Sequence, residues 1–445
     1  MTTTLGAGIG GVLVLASMLA AQVPDGSFVI SSFQSSVTSP LGGLFIVHPR
    51  IPGPPTAITG LGPDLTGNGT ARAGANCVTI HPDLGALLVG EIGTSTSIEL
   101  HQIFLSGSTV AFDMPITVGT AFGEGGINQI AVIPGGFDVL IGVLGLAATP
   151  PLNGARLAVV NLITGSVTPV PGGPFNGIVN SVAVDRTGSL GYYTDFGASA
   201  IYEIPIPGGG TPRFITNLPA SASLAVDYRG QIISTRVSGS VSGIWTIDPV
   251  LNTATQLFQV GSNPNGLMIE RATDDIVYVL NGLVTPGPQV HSITRTGVDT
   301  PLATVTGVPS GVDVAHNPST YGAPSGAGQC TWTSTPHPLA LPFAGVTGGN
   351  WRVAVDWNGT VPVFSAAFFA LAPYPAVPLP LGFSVWIDPG SLLGSVQLAL
   401  NPVLTQSEVT IALPPLLSGT FYLQEVHLDT GLLFGASNAL RATIL

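Results

Sequence analysis

The chain has no lysine: all 11 of its cationic side chains are arginines. That absence removes Schiff-base chemistry and any lysine general base. Charge of either sign is scarce, at 8% of residues against about 25% in ordinary soluble proteins, so solubility must rest on Ser, Thr, Asn and exposed turn backbone. The 23 acidic residues leave a net charge of −12, spread along the chain as a dilute negative field. No basic patch exists to displace counterions from phosphates, so nucleic acid is not an expected partner. Signatures of the P-loop, the Rossmann fingerprint, the zinc helix and the serine elbow are missing too, because the Gly-rich segments run from strands into turns and open no helix. The seven histidines do not cluster; His48, His81 and His316 stand at or beside prolines in turns. Only two cysteines occur, Cys77 and Cys330. They permit one disulfide, but Cys77 falls in a predicted inner strand, where a buried free thiol is the commoner state.

Long apolar runs are also missing, with one exception. Leu5–Ala21 is uncharged and ends in small residues before Gln22-Val23-Pro24, the pattern of a signal-peptide core with cleavage near Ala20 or Ala21. Residues 1–21 are therefore expected to be a leader, and the mature chain to be exported to the exterior of the cell or its envelope, with no membrane span.

What is abundant is β-structure punctuated by turns, with 59 glycines, 39 prolines and 45% hydrophobic residues. Asn180 to Ser221 reads as a complete four-stranded unit. Val182–Val184 is the inner strand, Gly191–Thr194 the second, Ala200–Pro205 the third and Arg213–Asn217 the fourth. Its inner-strand pattern recurs at 76–80, 128–132, 180–184, 222–226, 265–269 and 310–314, so the spacings are 42 to 52 residues, the length four short strands and their turns require. The last of these lacks followers, while Ser27–Ser32, Gly43–His48 and Thr56–Thr59 form three strands without an inner one. Joining the two ends closes a ring and covers its edges. The expectation is an all-β chain: a six-bladed β-propeller over 22–322, or seven blades if Ile51–Ala75 hides a hairpin. A linker (323–329) follows, and then a small β-sandwich (330–445) of Pro- and Gly-punctuated strands.

The starts of propeller inner strands converge on one mouth of the central channel. Four of the six carry an amide: Asn76, Asn128, Asn180 and Asn265, with Ala222 and Ser310 completing the ring. Such a ring suits an ion, ordered water or a polar ligand. The same residues also suit a purely local role, satisfying backbone where the chain enters the strand. Glu91, Asp195, Arg236 and Asn281 end successive second strands and are further candidates for the same mouth. In the tail, Trp332, Trp351, Trp357 and Trp386 are either core residues or stacking platforms for sugars. Asn68-Gly-Thr and Asn358-Gly-Thr fit the glycosylation sequon.

Asn265-Gly-Leu-Met-Ile resembles the Ser-Asn-Gly-apolar motif of gluconolactonase-like six-bladed propellers, and Ala-Val-Asp-x-x-Gly at 183–188 and 225–230 resembles NHL-repeat propellers. The tail is similar to the Gly/Pro-rich C-terminal β-domains of bacterial exported proteins, closing on Ser-Asn-Ala-Leu-Arg at 437–441. The gluconolactonase resemblance implies a divalent metal, calcium or zinc, held in the channel by Asn128, Asn180 and Asn265, with a carboxylate as general base. No aligned ring position is Asp or Glu, and Ser310 stands where a carboxylate would be expected. Glu124, just ahead of Asn128, is the acid the sequence sets nearest. Three readings follow. One is a non-enzymatic propeller binding a small molecule, glycan or protein through Asn76, Asn128, Asn180, Asn265 and Ser310, its sandwich serving attachment or assembly. The others are a metal-dependent lactonase or hydrolase at the same mouth, and a structural envelope protein whose mouth is plugged.

Overall fold

The computed structural model of the chain describes Val23 and, with interruptions, residues 27–444. The leader at 1–21, Glu124, Trp332, both sequons and most of the 323–329 segment lie outside the described residues. Among the described residues no helix is long and apolar enough to cross a membrane.

Residues 27–269 and 275–315 form one compact unit. Its strands in chain order are β1 (Phe28–Gln34), β2 (Gly43–Val47) and β3 (Thr56–Ala57). Next come β4 (Ala73–Ile80), β5 (Leu87–Gly93), β6 (Ser97–Ser106) and β7 (Thr109–Thr120), and then β8 (Gly125–Val132), β9 (Asp138–Leu144), β10 (Leu157–Asn161) and β11 (Val167–Pro169). The fourth set is β12 (Val179–Val184), β13 (Leu190–Asp195), β14 (Ala200–Pro205) and β15 (Arg213–Asn217). The fifth is β16 (Ser221–Val226), β17 (Ile232–Arg236), β18 (Gly243–Asp248) and β19 (Thr253–Gln259). Last are β20 (Pro264–Ile269), β21 (Ile276–Leu280), β22 (Val290–Ile293), β23 (Asp299–Ala303) and β24 (Val308–Val314).

Each run of four pairs as an antiparallel meander, and β24 pairs with β1 from Phe28↔Val314 to Phe33↔Val308. The first three strands therefore complete the blade that β24 begins, as the orphan strands require. There are six blades: the Ile51–Ala75 stretch contributes β3 and a single helical turn at Pro63–Thr66, and no hairpin among its described residues. The inner strands β4, β8, β12, β16, β20 and β24 lie side by side in a closed ring. Closure is tied by Asp313, whose Oδ2 accepts from Thr79 Oγ1 at 2.7 Å and from the Ile80 amide at 2.8 Å.

The Ala-Val-Asp-x-x-Gly repeat is a hairpin device. Asp185 and Asp227 accept from the amides of Leu190 and Gln231 at 2.8 and 2.9 Å, while Gly188 and Gly230 take φ of +74° and +79° to turn the chain. Apolar side chains fill the wedges between neighbouring blades. Val182, Tyr193 and Ile204 of one blade meet Leu140, Leu157 and Val159 of the blade before it, all buried. Burial at about 25 cal/mol per Å² of apolar surface is what holds consecutive blades together.

The second compact unit comprises mainly residues 316–445. It has a six-stranded and a four-stranded antiparallel sheet and a two-stranded ribbon, the sheets of the expected β-sandwich. The short strands Ser319–Tyr321 and Ser325–Gly326 pair with Phe434–Ile444, so the Gly/Pro/Ser stretch carries strand of this unit. The Pro-rich segment Pro373–Pro378 is likewise a strand, paired with Ser384–Ile387 across a bulge. A two-stranded ribbon consists only of edges, and there a missing proline N–H costs little. Ser365 Oγ donates to Glu425 at 2.7 Å and His427 Nδ1 lies 3.0 Å from the other carboxylate oxygen, all three side chains fully buried.

Candidate functional site in the propeller channel

Inner strands that converge on an axis leave a cavity wherever their first side chains are shorter than the gap. Here that cavity measures about 790 Å³, within the ordinary size range of small-molecule sites. All six expected ring positions line it: Asn76, Asn128, Asn180, Ala222, Asn265 and Ser310.

The amides are already partly engaged. Asn76 Nδ2 donates to the Ile127 carbonyl (3.0 Å) and to Asn128 Oδ1 (3.2 Å), and Asn128 Nδ2 donates to the Val179 carbonyl (2.9 Å). Asn180 Nδ2 donates to the carbonyls of Ser221 and Ala222 at 3.2 and 3.1 Å. Asn76, Asn128 and Asn180 thus each clasp the entry of the next inner strand, and a carbonyl partner fixes which end of the group is NH₂. Where Ala222 breaks the series, Thr235 Oγ1 donates to the Asn265 carbonyl at 2.7 Å. In Asn76 and Asn180 the local and ligand-facing roles therefore fall on different atoms: the nitrogen holds the ring, and the oxygen, on the opposite side of the planar group, is turned away from that carbonyl. The oxygen of Asn128 is shared with the ring through Asn76 Nδ2.

Of the four second-strand candidates the structure places only Asn281 at the mouth. Its neighbours in the rim are Ile92, Phe196 and Val237, each one residue beyond Glu91, Asp195 and Arg236, joined by Phe33 and Leu144. Side chains alternate faces along a strand, so an offset of one residue exchanges the channel for the blade interior. Asp195 caps a turn, accepting from Ala198 N at 3.0 Å, and Arg236 lies over the Trp245 ring at 5.4 Å. Glu91 is buried, and burial followed by the neighbouring Asp64 and Glu99 charges outweighs His101 and pushes its pKa up to about 7. Burial opposes protonation of His101, yet Asp113, 3.0 Å from its Nδ1, holds it above its ordinary value.

Gln129, one residue inside the ring, was not among the sequence candidates. It reaches across two blades: Nε2 donates to the Leu224 carbonyl at 2.9 Å, and Oε1 accepts from Ser181 Oγ and, at 3.3 Å, from Ser223 Oγ. The equivalent positions hold Cys77, Ser181, Ser223, Gly266 and Gly311, all small, and one long side chain among five small ones was the available signal. Gly266 and Gly311 are small by necessity, since a Cβ on the first would lie 2.3 Å from the Ser310 carbonyl oxygen and on the second 2.9 Å from the Cys77 Cα.

No family model matches the chain, and no curated protein matches it. Among solved structures it is similar to a chain of a nidogen–laminin complex (10% identity, 65% of this chain and 98% of that one, TM-score 0.47). It is also similar to TolB from Acinetobacter baumannii (15%, 70% and 72%, TM-score 0.46) and to a putative 6-phosphogluconolactonase from Bacteroides fragilis (9%, 66% and 99%, TM-score 0.42). Identities this low carry no information about activity or ligand.

Among the described residues the lining holds no Asp, Glu or His, and no three His, Cys, Asp or Glu side chains are grouped to hold a metal. Calcium binds through anionic oxygens, and zinc through thiolate, imidazole or carboxylate. A set of neutral amides, several with their nitrogens committed to backbone, does not fit either ion. Cys77 lines the cavity as a free, buried cysteine whose thiol burial pushes up to about 12, so it is not a nucleophile near neutrality.

Proposed function

We propose that this protein is an exported recognition propeller that binds a small polar molecule in its channel mouth and performs no chemistry on it, the C-terminal β-sandwich serving attachment or assembly. The observation that carries the reading is the lining. It is ringed by amides and hydroxyls, and among its described residues it offers neither a general base nor an anionic metal ligand. Apolar and aromatic walls with a small number of placed polar groups are the usual composition of a ligand pocket, and this lining has both. Export is supported by the leader-like residues 1–21, and the NHL-like character by the Asp-turn repeats at 185 and 227. Gluconolactonase-type hydrolysis lacks its carboxylate among the lining residues.

Calorimetric titration of the purified chain with D-glucose, D-glucuronamide, D-glucuronate and calcium chloride tests it. Val237→Trp, which fills the rim from a strand end, serves as the blocked control. At least one organic solute is expected to bind and to lose binding in the variant. Binding of calcium alone, or binding that Val237→Trp leaves intact, refutes the reading.

A further inference from the structure

We infer that the channel mouth selects a polyhydroxylated carboxylate, a molecule of the sugar-acid class, through Arg156; the inference rests on the mouth being a ligand site. Arg156 stands at the start of β10, its carbonyl accepting from the Val143 amide at 2.9 Å, and its side chain lines the cavity. Among the described residues it is the only lining residue charged at neutral pH. It is half-buried, and among the described residues no carboxylate or other acceptor pairs with its guanidinium. Residues 145–155, which precede it in the sequence, include no Asp or Glu.

In a chain with 23 acids and only 11 arginines, an unpaired cation facing a cavity without acids among its described lining residues is the reverse of the general field. A planar fork of donors left in such a place matches a carboxylate, which it can hold through two parallel charge-assisted bonds. Ser310 adds a second donor in the same cavity, its Oγ buried and without a partner. The rest of the lining asks for the opposite partner. Because Asn180 spends its nitrogen on two backbone carbonyls, its remaining oxygen is an acceptor, and acceptors call for ligand O–H groups. Phe33 and Phe196 in the rim supply flat apolar faces on which a sugar ring stacks. An anionic end, several hydroxyls and a compact ring together describe a sugar acid. The overall charge of −12 disfavours indiscriminate anion binding, so selectivity must come from contact geometry.

The matched pair D-glucuronate and D-glucuronamide differ in charge and hardly in shape. The wild-type chain is expected to bind glucuronate at least about tenfold more tightly than the amide, as befits a charge-assisted pair in a half-buried site. Arg156→Gln is expected to erase that preference while leaving the weaker amide affinity in place, a result that also shows the variant to be folded. Equal affinities in the wild type, or a preference that survives Arg156→Gln, overturn the inference yet leave the mouth as a ligand site if Val237→Trp still blocks both. Absence of binding by either sugar derivative and by glucose overturns both readings together.

Discussion

Replacement of Gln129 by Ala removes a brace that spans three blades. Leu224 O loses its 2.9 Å donor, and Ser181 and Ser223 lose their shared acceptor, at sites where all three residues are buried. A buried polar group deprived of its partner costs about 1–3 kcal/mol, which would set an upper figure of several kcal/mol for three such groups. The freed space opens to a polar cavity that water can enter, and water restores part of the bonding. The net cost is thus about 2–3 kcal/mol, or a fall in Tm of about 5 °C, with the far-UV spectrum unchanged. Ser223→Ala combined with Gln129→Ala should cost less than the two separately, by about 0.5 kcal/mol or more, because both delete one contact. Gln129→Glu sharpens the reasoning: it keeps the acceptor but sets a carboxylate oxygen against the Leu224 carbonyl, so at neutral pH it should be worse than Ala. A Gln129→Ala loss below about 0.5 kcal/mol, the usual range of surface changes, or strict additivity with Ser223→Ala, would refute the brace.

Glu91 holds its proton to about pH 7 when folded, against an ordinary 4.5. The folded state therefore binds more protons than the unfolded one in that window, and stability should fall as pH rises through it. Glu91→Gln should flatten Tm against pH between about 4.5 and 7 and stabilise the protein above pH 7 by up to roughly 3 kcal/mol. His101, held above its ordinary 6.5, contributes stability that is lost as pH rises from 6.5, and leaves that part of the slope in place. An unchanged slope between pH 4.5 and 7 would show that Glu91 is solvated. Gly266→Ala should destabilise by about 1–3 kcal/mol through forced separation of β20 and β24, whereas Gly208→Ala, where nothing lies within 4 Å, should be close to neutral in the same urea titration.

Blade number and ring closure were legible in the sequence because each inner strand is a local pattern repeated every 42 to 52 residues, and because three orphan strands can be satisfied by only one partner. The amide ring was legible for the same reason: equivalent positions in a repeat converge by symmetry. Rim residues were not, since Ile92 and Glu91 differ by a single step and a two-residue period read from four-residue strands does not fix which face meets the axis. Nor does local sequence show that Gln129 crosses to Leu224, 95 positions away, or that Arg156 lines a cavity without acids among its described residues. Composition and periodicity determined an all-β propeller with a polar mouth. Only the closed ring, by bringing six distant segments to one axis, decided which side chains face that mouth and which charge stands alone in it.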